Sequence, residues 1–217
     1  MGTWGQGLYD NDGALDELGD LFDTLPLHAG AVPMATTVGL ATWLNAPTSD
    51  RFVEAVREHQ DWVQALPKAV QELLHRFVRE REAFTEPRSR STELTEILGG
   101  HCDGPRYDAL LTLPGSEKVI EELGNAAAER LEDGLRSASD LYDSSSAIGC
   151  LGVLLELAVR GHWSARREAV EEWRLSVARL DEETGDERDF WDDYLARVRR
   201  GLRLLQSPRY RGPRPSH

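Results

Sequence analysis

Residues 147–159, AIGCLGVLLELAV, constrain the fold of this chain more than any other stretch. Glu156 is the only charged residue in it, and its apolar side chains circle a helical axis without leaving a polar face. A helix of that kind must be covered by protein on every side. The run is shorter than the about 20 residues that cross a bilayer, so the expectation is the central helix of a soluble helical protein.

The rest of the chain repeats apolar residues at intervals of three and four, with no stretch that alternates with period two. A first helix is expected to begin near Asp12, capped by Asn11 or Asp12, with Leu15, Leu18, Phe22 and Leu25 on one stripe and Pro26 closing it. A second, mostly apolar one is expected from Pro33 to Leu44. Phe52, Val56, His59, Val63 and Leu66 read as one helix ended by Pro67, and Val70, Leu73, Leu74, Phe77 and Val78 as the next. Ser116 is placed to cap a helix carrying Ile120, Leu123, Ala127, Leu131 and Leu135. Residues 140–146 read as a turn before the central helix. Two amphipathic helices follow, one with Val170, Trp173, Val177 and Leu180, the other with Phe190, Tyr194, Leu195, Val198, Leu202 and Leu205. The expected architecture is all-α: a single-domain bundle of seven to nine helices over residues 1–206, with a disordered basic tail at 207–217.

Charge narrows the partner. The net charge is −13, against the basic face that binds phosphates, so nucleic acid is not expected to bind the main body. Residues 1–50 hold seven acids and no Lys or Arg, whereas residues 195–217 hold seven arginines and no acid. Cys102 and Cys150 are the only cysteines and form no CxxC, which argues against a thiolate metal site. The first residues have neither a basic nor an apolar leader region, and a cytoplasmic location is expected. Arginine outnumbers lysine heavily, as in proteins of GC-rich bacteria.

The opening WGQGLYDND is the least random segment. Trp4 is an apolar anchor just before a helix, Gly5 and Gly7 permit backbone angles closed to other residues, and Tyr9 can continue the anchor. Asp10, Asn11 and Asp12 supply capping oxygens, and Asp16 suits the positive helix end. The segment reads as a loop docked on the body. The alternative is an exposed recognition or metal site made of Tyr9, Asp10, Asn11 and Asp12, with Asp16 and Asp20 nearby. A calcium loop aligned on Gly13 fails, because Gly19 stands where the bidentate Glu belongs. The pattern Trp4-Gly5-x-Gly7-x-Tyr9-Asp10-Asn11-Asp12-x-Ala14-Leu15-Asp16 resembles the start of a bacterial domain-of-unknown-function family. The resemblance spans about the first 25 residues. It implies a helical bacterial protein and carries over no activity.

Catalytic constellations are thin. His101-Cys102-Asp103 is a suggestive cluster in a Gly-rich loop, but adjacent residues rarely converge on one ion. Glu72-x-x-His75 has di-iron spacing without a second copy. Glu156 could be a carboxylate of altered acidity, though reach to solvent or to Arg160 is the plainer expectation. Glu168-x-x-Glu171 with Glu183-x-x-Asp186 has the spacing of helical nucleotide pyrophosphohydrolases, but the second pair spans a turn. The leading expectation is therefore a non-enzymatic acidic protein without cofactor or metal, an immunity- or inhibitor-type protein that neutralises a basic toxin or other effector. The alternatives are a carboxylate- or metal-dependent enzyme, such as a helical nucleotide hydrolase, and a self-associating structural or regulatory protein.

Overall fold

The computed structural model describes residues 7–9, 12–44, 46, 50–79, 92–98, 108–183 and 188–207. They form helices α1 (Asp12–Asp23), α2 (Ala31–Trp43), α3 (Asp50–Glu58), α4 (Gln60–Ala65), α5 (Lys68–Arg79), α6 (Thr92–Leu98), α7 (Asp108–Leu111), α8 (Ser116–Ser137), α9 (Leu141–Val159), α10 (Arg167–Glu183) and α11 (Arg188–Gln206). No strand occurs among the described residues, so the fold is all-α, with the apolar helix central. Eleven helices rather than seven to nine arise because α6 and α7 are one- or two-turn pieces and because the run from Phe52 to Leu66 is broken. The break is at His59, whose backbone (φ −105°, ψ 49°) leaves the helical region between α3 and α4. The tail beyond Ser207 lies outside the described residues.

The chain divides into two compact units. The first is formed by the described residues within Met1–Leu18, Arg90–His101 and Gly124–His217, the second by those within Gly19–Ser89 and Cys102–Leu123.

The first unit is built round α9. This helix starts at Leu141, six residues before the apolar run, and residues 141–146 are helix rather than turn. Asp140 caps it, its side chain accepting from the Asp143 N–H at 2.9 Å. The Ser144 and Ser145 hydroxyls donate to the Leu141 and Tyr142 carbonyls at 3.0 and 2.8 Å, so these polar side chains are satisfied within their own helix. At 19 residues α9 is long and apolar enough to cross a membrane, yet 67% of its most apolar window is buried, the pattern of a core helix. α11 packs along α9 and also meets α6 and α10. Val170, Trp173, Val177 and Leu180 are all buried, as are Trp191, Tyr194, Leu195, Val198, Leu202 and Leu205. Arg179 donates to the Leu135 and Ala138 carbonyls at 2.9 and 3.4 Å, satisfying the end of α8 where the helix has no N–H donors of its own to offer them.

The second unit is built round α2, in which every residue from Met34 to Trp43 is buried. The helix starts after Gly30, whose φ of 140° favours glycine, and Pro33 falls in the first turn, where its missing N–H costs nothing. α3, α4, α5 and α7 pack on α2 or on one another. Gly39 admits α7 at close range, because a Cβ there would stand 2.7 Å from the Leu110 Cβ. The Pro67 carbonyl accepts from Val70 and Gln71 at 2.9 and 3.0 Å and opens α5. α1 ends at Asp23 rather than running to Pro26, since Thr24 turns back with both its N–H and its hydroxyl on the Leu21 carbonyl, at 3.2 and 2.7 Å.

Candidate functional site

The opening motif is partly visible, and the visible part is core. Gly7, Leu8 and Tyr9 are buried. The Leu8 and Tyr9 N–H groups donate to the Ile97 and Leu98 carbonyls at 3.1 and 3.2 Å, which takes up two carbonyls at the C-terminal end of α6. The Tyr9 ring lies on α9 at Gly152, where a Cβ would stand 2.5 Å from the Tyr9 Cζ, and Ala14 of α1 lies on Gly149 in the same way. Tyr9 and Gly7 therefore do not face solvent. Asp16 and Asp20 are exposed and Asp12 is half-buried. Asp12 is the first residue of α1. Trp4, Gly5, Asp10 and Asn11 lie outside the described residues.

Beneath this segment Glu17 and Arg130 form an ion pair beside Cys150. Burial pushes the Cys150 thiol up to about 12, with the Glu17 charge adding and the Arg130 charge opposing. At neutral pH the thiol is therefore fully protonated and a poor nucleophile. Glu156 is 1% exposed within α9, so it does not reach solvent. Glu72 and His75 are both exposed on α5. Glu168, Glu171 and Glu183 all lie on α10, with Glu171 bonded to Arg174 and Glu183 to Arg179, so they do not face one another across a helix pair. Asp186 and the His101-Cys102-Asp103 cluster lie outside the described residues. Among the described residues no three His, Cys, Asp or Glu side chains stand together as a metal site.

A feature not anticipated from the sequence is a groove of about 520 Å³ in the first unit, between α8, the loop after α9, and α10. Its walls carry Glu129, Glu132 and Asp133 from α8, Trp163 and Arg166 from the loop, and Trp173 from α10. Trp163 is half-buried and held in place twice. Its indole N–H donates to Asn125 Oδ1 at 3.2 Å, and its ring lies directly over Gly124, where any Cβ would collide with it. Arg136 engages both Glu132 and Asp133, leaving Glu129 exposed and without an ion pair among the described residues. An indole and an unpaired carboxylate lining one groove suit a cation: the ring quadrupole attracts it and the carboxylate accepts its hydrogen bonds. Trp163 was open to notice as a large aromatic outside every helical stripe. Glu129 carries no sequence signal, being one acid among 38.

No family model, curated protein or solved structure matches this chain.

Proposed function

We propose that this chain is a non-enzymatic protein-binding protein of the bacterial cytoplasm, of immunity or inhibitor type, that neutralises a basic toxin or other effector. The observation that carries the reading is the groove in the first unit. It combines a pinned indole with an unpaired carboxylate, so it offers a seat to an arginine or lysine side chain of a partner. The net charge of −13 adds long-range attraction for a basic protein and speeds encounter, an effect that salt weakens. The resemblance of the opening residues to a helical bacterial family is in keeping with this reading.

The test is capture of partners from the producing organism with the full chain as bait, in parallel with a Trp163→Ala/Glu129→Lys variant. The expected result is a basic protein retained by the wild type, released by salt, and not retained by the variant. Equal recovery on both baits would overturn the role of the groove. Recovery of no basic protein by the wild type would overturn the function.

A further inference from the structure

We infer that His28 and His59, in the second unit, form a chelating pair for a first-row divalent transition cation, with Cu²⁺ held most tightly. His28 lies in the turn between α1 and α2, and His59 is the residue at which α3 breaks from α4. Their rings are brought together with His28 Nδ1 only 3.3 Å from His59 Nε2. Two metal–imidazole bonds of about 2.0–2.1 Å separate their nitrogens by about 3.3–3.4 Å at a tetrahedral centre and by about 2.9 Å at a square-planar one, so the observed spacing matches the first as it stands and reaches the second, which Cu²⁺ favours, by a small turn of the exposed His28 ring.

The geometry is held in advance. Trp62, in the first turn of α4, stacks on the His59 ring with centroids 3.9 Å apart and planes 15° from parallel, which fixes the direction of Nε2. The His28 ring meets His59 edge-on, at 5.5 Å and 70°. His28 is exposed and His59 and Trp62 are half-buried, so a hydrated ion has access. Without metal, one ring donates to the other, which requires one nitrogen of the facing pair to carry the proton. On binding, that proton moves to the outward nitrogen of the same ring, Nε2 of His28 or Nδ1 of His59. Both facing lone pairs are then free for the ion, and water fills its remaining positions. Imidazole suits copper, nickel and zinc, and the general order of affinity places Cu²⁺ above Ni²⁺ and Zn²⁺. This site is independent of the groove in the first unit and of the function proposed from it.

The experiment is calorimetric titration of the untagged full chain with Cu²⁺, Ni²⁺ and Zn²⁺, alongside His28→Gln, His59→Ala and the control His75→Ala, an exposed histidine of α5. The expected result is one equivalent bound, tightest for Cu²⁺, with partial quenching of tryptophan fluorescence through Trp62. Affinity should fall at least tenfold in His28→Gln and in His59→Ala and stay unchanged in His75→Ala. His59 sits at a helix junction, so circular dichroism accompanies its variant. His28→Gln, in an exposed turn, decides the matter if His59→Ala is misfolded. Unchanged affinity in His28→Gln, or an equal loss in His75→Ala, would overturn the chelate.

Discussion

α9 and α2 are two versions of one solution. Each is apolar on all sides, each is the core of its unit, and each has a glycine where a neighbour comes within side-chain range. They differ in what is admitted. At Gly39 the visitor is Leu110 of a short helix, whose side chain makes an apolar contact and whose carbonyl accepts from the Thr36 hydroxyl of α2 at 3.5 Å. At Gly152 it is Tyr9, from a segment with no helix of its own, tied down by two backbone hydrogen bonds to α6. The α9 core also takes in groups that can ionise, namely Cys150, Glu156 and, from α11, Tyr194. α2 carries threonines instead, with Thr42 bonded back to the Val38 carbonyl at 2.8 Å. The first unit should therefore respond to pH and to changes near the N-terminus where the α2 core does not.

The largest effects should come from removing the visitors. Tyr9→Ala is expected to cost about 3–5 kcal/mol, the range for emptying a buried aromatic site, and Trp43→Ala in α2 a similar amount. Urea unfolding checks both, and a loss under about 1 kcal/mol for Tyr9→Ala would break the claim that the opening segment belongs to the core. Next come the glycines. Gly152→Ala and Gly39→Ala should each destabilise by about 1–3 kcal/mol through overpacking, although alanine is the better helix former by about 1 kcal/mol. In a Tyr9→Ala background the Gly152→Ala cost should vanish or change sign, because the colliding ring is gone. Additive losses in that double-mutant cycle would disprove the contact.

The pH response is spread over several pH units and has a definite sign. The Cys150 thiol is raised from 9.0 to about 12, and burial pushes the Tyr194 hydroxyl upward as well. Above pH 9 the unfolded thiol loses its proton while the folded one keeps it, so the folded state binds more protons and stability falls as pH rises. The contribution is complete below pH 9 and is lost towards pH 12, with a slope of at most about 1.4 kcal/mol per pH unit for each group. Denaturation midpoints across this range should decline less steeply for Cys150→Ala, and an unchanged slope would contradict the assignment. Smallest of all are the arginines. Arg179→Ala, which uncaps α8, should cost about 1 kcal/mol, whereas Arg174→Ala, which loses an exposed pair with Glu171, should stay within about 0.5 kcal/mol.

Much of the architecture was legible because burial imposes a period. Val170, Trp173, Val177 and Leu180 recur at three and four and are all buried. The misreadings have local causes. Ser144 and Ser145 look like turn residues, but their hydroxyls find acceptors one turn back within α9. The break at His59 was hidden because helical spacing continues across it from Val56 to Val63. The groove was not legible at all. It depends on Trp163 meeting Gly124 and Asn125, residues distant in sequence, and no local period records that encounter. The opening motif reads as a docked loop, and its described part, Gly7 to Tyr9, is buried against α6 and α9.

The groove is tested most directly by calorimetric titration of the full chain with an arginine-rich peptide at low and high salt. Wild type is compared there with Trp163→Ala, Glu129→Gln and an Asp16→Asn/Asp20→Asn control. The groove reading predicts saturable one-to-one binding that weakens with salt, is lost in the two groove variants, and persists in the control. Binding that survives Trp163→Ala and Glu129→Gln but falls in step with the charge removed elsewhere would contradict it.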